Sequence, residues 1–178
     1  VSLFVNTFFE ERLQDLLSLA ARVKEAFGTA GIEYRVVGGL AAYLYVEEVE
    51  ADAGRLTKDI DILVRREDLP RIAEAAETVG LEYRQTAGVD MLVQKGKPSA
   101  RPAVHMIFDQ RGLNGGRTLQ GIPVVSLADL VTMKLTSFRI KDEMHVKDLD
   151  EQGLITPDLE AGLSPLLLEH LAQVRARD

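Results

Sequence analysis

The sequence predicts an α/β (α+β) fold: a mixed β-sheet flanked by helices, with a helical C-terminal tail. Three observations carry the prediction. Apolar stretches at helical spacing alternate with short strand-like runs over the first half of the chain. Several strand-like runs then follow one another between Leu81 and Val125, separated by turns containing Gly and Pro. Beyond Ser126 the pattern is helical to the end. No internal repeat or linker divides the 178 residues, so a single domain over 1–178 is expected, with its core at about 32–152 and the tail at about 153–178.

The elements follow in order. Leu13, Leu16, Leu17, Ala20, Val23 and Phe27 form an apolar stripe that predicts a helix from Phe8 to Phe27, stopped by Gly28. Ile32 to Val37 reads as a strand and Gly39 to Glu50 as a helix. Ile60 to Val64 is almost wholly apolar, the composition of a central strand. A helix over Asp68 to Val79 tolerates Pro70 in its first turn and ends at Gly80. Strands are expected at Leu81 to Gln85, Met91 to Gln94, Ala103 to Phe108 and Ile122 to Val125. Ser126 and Asp129 have the spacing of a capping box and open a helix to about Phe138. Helices over Asp142 to Gln152 and Pro165 to Val174 complete the chain.

Composition narrows the function. With no cysteine, disulfides are excluded and nothing argues for secretion. The first residues lack a basic leader, and no segment is long enough to span a bilayer, so a cytoplasmic protein is expected. A net charge of -7 argues against a broadly basic nucleic-acid surface. One local run of bases, Lys95, Lys97, Arg101, Arg111 and Arg117, reads as a solvated loop surface and still permits an RNA acceptor. No phosphate-binding loop ending in Lys-Ser/Thr occurs, which argues against a P-loop kinase. No Ser stands in a nucleophile elbow, which argues against a nucleophilic hydrolase.

The chemistry concentrates in two motifs. In Asp59-Ile60-Asp61, alternation along a strand sends both carboxylates to one face, and a divalent cation is the usual means of keeping two such charges together. Upstream, Val36-Val37-Gly38-Gly39 turns from an apolar run into a helix, a junction that brings bare backbone amides to a helix N-terminus where phosphate binds well. Taken alone, the glycines are a plain turn and the acids a solvated strand end. Together, and with Arg55-Leu56-Thr57-Lys58 before the acids and Lys134-Leu135 through Arg139-Ile140-Lys141-Asp142 to Asp148-Leu149 after them, they resemble the nucleotidyltransferase superfamily of polymerase-beta-like fold. Within it the chain is similar to the abortive-infection toxin type and its bacterial relatives, over roughly Ile32 to Gln152.

The resemblance implies transfer of a nucleoside monophosphate from a nucleoside triphosphate to an acceptor hydroxyl on RNA, protein or a small molecule, with Mg2+ or Mn2+ as cofactor. It also implies an antitoxin-like partner. Asp59 and Asp61 would hold the metal, Gly38 and Gly39 would admit phosphate oxygens, and Lys134 and Arg55 would offset triphosphate charge, with Lys58 a weaker candidate. Lys134 and Arg139 equally suit the dipole at a helix C-terminus. The charges from Lys141 to Asp148 recur at helical spacing, which predicts mostly intrahelix surface pairs. His145 and His170 receive no role.

One departure stands out. Active members of the family carry a third carboxylate on a later strand, and there this chain has His105, sharing a strand face with Ile107 and Asp109. Three accounts stay open: His105 serves as base or ligand, Asp109 supplies the acid through a shifted register, or the site binds without transferring.

Overall fold

The computed structural model describes residues 2–99 and 101–177. Helix α1 (Ser2–Ala30) runs past Gly28 and closes at Gly31. Gly31 takes the left-handed conformation (φ 64°), and Ile32 N–H donates to Phe27 O at 2.8 Å. The left-handed stop therefore falls three residues after the expected one, because Gly28 keeps ordinary helical geometry.

Strand β1 (Arg35–Val37) is shorter than its apolar pattern suggests and leads at once into α2 (Gly38–Val49). Gly38, at φ 67°, makes the abrupt turn between them. From Gly39 to Val46 every residue of α2 is buried, as expected of a helix apolar all round. It packs on β1, on β2 (Ile60–Val64), and on two later helices, α4 (Leu127–Ser137) and α5 (Ile140–Glu151). Side chains such as Leu40 and Leu44 are almost wholly removed from water, each contributing about 1.5–3 kcal/mol of burial.

A 3-10 turn at Arg66–Asp68 precedes α3 (Leu69–Thr78), which lays Ile72, Ala75 and Ala76 against the core and contacts α1. Strands β3 (Leu81–Thr86) and β4 (Val89–Gln94) form a hairpin through Ala87 and Gly88, both at positive φ, the backbone of a tight two-residue turn. Strand β5 (Val104–Phe108) follows, then β6 (Arg117–Leu119) and β7 (Ile122–Val124) in a second hairpin turning at Gln120 and Gly121, again at positive φ. The chain closes with α6 (Pro157–Ala161) and α7 (Pro165–Arg175), the latter packed on α4 and α5.

The strands form one seven-stranded mixed sheet in the order β3-β4-β5-β2-β1-β7-β6. Two pairings are parallel, β2 with β5 and β1 with β7, and the remainder antiparallel. Placing β2 between β1 and β5 puts Asp61 beside Val37 on one side and His105 on the other. Among the described residues, no helix is long and apolar enough to cross a membrane.

Candidate active site

Two adjoining depressions open over the middle of the sheet. The larger, about 600 Å3, lies between Gly38, Asp61 and His105 and the α4–α5 corner with Lys134, Ser137, Arg139 and Asp142. The smaller, about 440 Å3, lies over Asp59, Asp61 and His105 and is walled by Arg55, Lys58, Met144 and His145. Asp61, His105 and Lys141 line both lobes.

Asp61 stands at the junction. Its Oδ1 lies 3.3 Å from His105 Nδ1, a contact set directly by the facing positions of Asp61 and His105 in the parallel β2–β5 ladder. A hydrogen bond from the ring to Asp61, opposed by burial and helped by the charges of Asp61 and Asp59, raises the His105 pKa above its usual value. On its other side the carboxylate fills the space a side chain at Gly38 would need: a Cβ there would come within 2.2 Å of Asp61 Oδ2. A Cβ at Gly39 would come within 2.8 Å of Thr57 and 3.5 Å of His145. Packing within the chain thus requires both glycines, and Gly38 also lines the larger lobe.

Asp59, just before β2, is committed elsewhere. Its Oδ1 accepts from the Ala103 N–H at 2.9 Å, and its Oδ2 accepts from Arg101. Ile60 N–H donates to Ala103 O at 2.9 Å, so the first rung of the β2–β5 pairing anchors this aspartate. Among the described residues, three of the pair's four carboxylate oxygens thus have a hydrogen-bonding partner in the chain, and Asp61 Oδ2 packs beside Gly38 without one. Among the described residues, no three His, Asp or Glu side chains come together as ligands for a metal ion. One free carboxylate oxygen, Asp61 Oδ2, falls short of the several that a divalent cation asks for. Asp109 is not brought to the cleft: it follows the far end of β5, about 13 Å along the strand from His105, and pairs with Arg111 at 3.3 Å.

The opposite wall comes from α4 and α5. Ser126 caps α4, its Oγ accepting from Asp129 N–H at 3.1 Å and donating to Asp129 Oδ2 at 2.6 Å. Lys134, near the end of that helix, is 4 % exposed. Its Nζ lies 2.9 Å from His145 Nδ1 and 3.4 Å from Asp142 Oδ1. Burial lowers the Lys134 pKa, with the charges of Asp142 and Asp61 acting against that fall. Burial and the neighbouring ammonium push His145 down to about 4, so it accepts from Lys134 as a neutral ring. Burial would raise Asp142, but hydrogen bonds from Arg139 and Ser137 and the charge of Lys134 outweigh it and hold the carboxyl at about 2. Phe138, in the left-handed conformation at the end of α4, stacks on His170 of α7 with ring centroids 3.9 Å apart. His170 Nδ1–H donates to Leu135 O at 2.8 Å, so the tail helix braces the corner that carries Lys134 and Arg139.

Several expectations are corrected here. The charges from Lys141 to Asp148 are mostly not intrahelix pairs: Asp142 meets Lys134, Asp148 accepts from Arg55 at 2.7 Å, and Glu143 meets Arg177. Among the described residues two pairs of this run have helical spacing, Arg139 with Asp142 at 2.8 Å across the start of α5 and Lys147 with Glu151 at 4.0 Å. His145 is part of the cleft wall. Its signal was a polar residue on the face of α5 shared by buried Asp142 and Leu149. The basic run from Lys95 to Arg117 is no single surface, since Lys95 pairs with Glu77, Arg101 with Asp59, Arg111 with Asp109 and Arg117 with Glu48.

No protein-family model matches the chain. Among solved structures, an antigenic nucleotidyltransferase-like protein from Paracoccidioides brasiliensis is similar over 89% of this chain and 85% of its own, with a TM-score of 0.60 and 12% sequence identity. The antibiotic-resistance factor ANT(2'')-Ia in complex with adenylyl-2''-tobramycin is similar over 90% of this chain and 97% of its own, with a TM-score of 0.53 and 13% identity. The solution structure of the same factor covers 88% and 80%, with a TM-score of 0.51 and 12% identity.

Proposed function

From the nucleotidyltransferase fold shared with those structures, we propose that the cleft binds a nucleoside triphosphate and passes its nucleoside monophosphate to an acceptor hydroxyl. The observation that carries this reading is the Asp61–His105 pair on neighbouring parallel strands, lying where the two lobes meet.

Two lobes sharing one polar junction suit two substrates that must meet. The lobe under Lys134 and Arg139 suits the triphosphate, since the buried Lys134 ammonium acts strongly on phosphate where water is scarce and the exposed Arg139 adds guanidinium donors at the mouth. With Nδ1 turned to Asp61, His105 keeps Nε2 for the acceptor hydroxyl, and Asp61 orients the ring. His105 Nε2 takes the proton from the acceptor hydroxyl as its oxygen bonds to the α-phosphorus. The bond from that phosphorus to the bridging oxygen of the β-phosphate breaks, and pyrophosphate leaves. Lys134, Arg139 and Lys141 offset the charge that gathers on the leaving group. No step runs through a metal ion. An RNA, a protein or a small molecule supplies the hydroxyl, and the adenylylated tobramycin held by the ANT(2'')-Ia fold supports the last class.

The test is incubation with labelled ATP, CTP, GTP and UTP in the presence of cellular RNA, cellular protein and small hydroxylated acceptors. Label transfer is expected, lowered by about 10²–10⁴ in Asp61→Asn and in His105→Ala. Nucleotide binding with no transfer to any pool would leave a nucleotide-binding protein on this fold, and absence of binding would remove the reading.

A further inference from the structure

We infer that this cleft takes its nucleoside triphosphate without a divalent cation, because Arg101 already occupies the carboxylate that a cation would need. The inference rests on the nucleotide-binding part of the function proposed above.

Asp59 is tied down at both of its carboxylate oxygens. Its Oδ1 is tied to the Ala103 backbone at the opening rung of the β2–β5 pairing, and its Oδ2 to the Arg101 guanidinium. A cation at Asp59 would have to expel Arg101 or pull the carboxylate off the sheet. Asp61 offers one oxygen, since His105 lies 3.3 Å from Oδ1 and only Oδ2, beside Gly38, is without a hydrogen bond among the described residues. Mg2+ asks for near-octahedral oxygen ligands at about 2.0–2.1 Å and parts reluctantly with its waters. The chain offers it no such cluster among the described residues.

A bound metal in such a site does two things, neutralising the aspartates and offsetting phosphate charge, and the chain supplies both from its own side chains. Arg101 neutralises Asp59. Around the lobes, Lys58 and Lys141 show no ion pair with any carboxylate among the described residues, and Lys134 and Arg139 share one, Asp142. Arg101 reaches in from the segment before β5 with its side chain 63% exposed, and a guanidinium with five N–H donors holds Asp59 with part of its edge only.

The test measures affinity for ATP, CTP, GTP and UTP by fluorescence or calorimetry, in EDTA and in excess Mg2+, on the whole chain and two variants. Asp59→Asn keeps the oxygen that accepts from Ala103 and removes the charge. Arg101→Gln leaves Asp59 uncovered. Wild-type affinity is expected to agree within about twofold between EDTA and Mg2+, the spread that screening alone produces. Asp59→Asn should bind as tightly or more tightly. Arg101→Gln should weaken about tenfold in EDTA, the scale of one bare charge near an anionic ligand, and recover part of that loss in Mg2+. Manganese titration of the nucleotide-free wild type, followed by electron paramagnetic resonance, should show no uptake. The inference is overturned if wild-type binding falls about tenfold or more in EDTA, or if Asp59→Asn abolishes binding in Mg2+, the behaviour of a metal ligand. Loss of nucleotide binding in every condition overturns the proposed function together with this inference.

Discussion

Lys134 and His145 hold one another in a place where a charge is costly. The ammonium is almost wholly buried and its neighbour is pressed into the neutral form, with His145 pushed down to about 4 by burial and by Lys134, against the opposing charge of Asp142. The consequence is a pH limit whose sign follows from proton counting. Between about pH 4 and 6.5 the unfolded chain binds a proton at position 145 that the folded chain refuses, so stability is full above 6.5 and declines as pH falls toward 4. A shift of that size corresponds to at most about 3 kcal/mol. Urea unfolding at pH 7.5 and 4.5 should show the decline in the wild type and a smaller one in His145→Gln, which retains an acceptor for Lys134. An equal decline in both would assign it to other groups. At this scale the sequence was partly legible. Alternation put His105 on a strand where an acid was expected, and the structure sets that residue opposite Asp61. Arg101 was not legible in its role, because its partner Asp59 lies 42 positions away and the residue belongs to no motif, only to a run of bases.

Elements were legible where a local signal terminates or starts them, and illegible where pairing across the sheet decides. The Ser126 cap is purely local and opens α4 as read, although Asp129 accepts from the Ser126 hydroxyl and not from its backbone N–H as a full capping box requires; the helix in turn aims Lys134 at the cleft. Ser126→Ala should cost about 1 kcal/mol in chemical denaturation, with the loss felt at the α4–α5 corner rather than in the β3–β4 hairpin. Hydrogen exchange would locate it, and a loss spread evenly over the fold would contradict this placement. Strand β6, by contrast, is three residues long with two of them exposed, so neither periodicity nor composition announced it. What makes it a strand is the turn at Gln120 and Gly121 and the neighbouring β7. The same limit hid the central fact of the site. Strands β2 and β5 are separated by α3 and the β3–β4 hairpin, and only their parallel adjacency brings His105 to Asp61.

Over the whole molecule, charge is distributed against its total. The chain carries a net charge of -7, yet Arg55, Lys58, Lys134, Arg139 and Lys141 gather around the two lobes. Self-repulsion of the excess acid disfavours the compact state weakly and is relieved by salt, whereas attraction of an anionic ligand to the basic cleft is weakened by salt. The two effects therefore move in opposite directions along one ionic-strength series. Raising sodium chloride from about 0.05 to 0.5 M shortens the screening length from roughly 14 Å to 4 Å. Nucleoside triphosphate affinity should fall several-fold over that range, while the midpoint of thermal unfolding without ligand holds or rises. Lys141 has no ion pair among the described residues and borders both lobes, so Lys141→Gln should flatten the salt dependence of binding while leaving that of unfolding unchanged. Affinity that ignores salt would mean that the cleft recognises its ligand by shape and base contacts, leaving the accumulation of positive charge in an acidic protein without a role in binding.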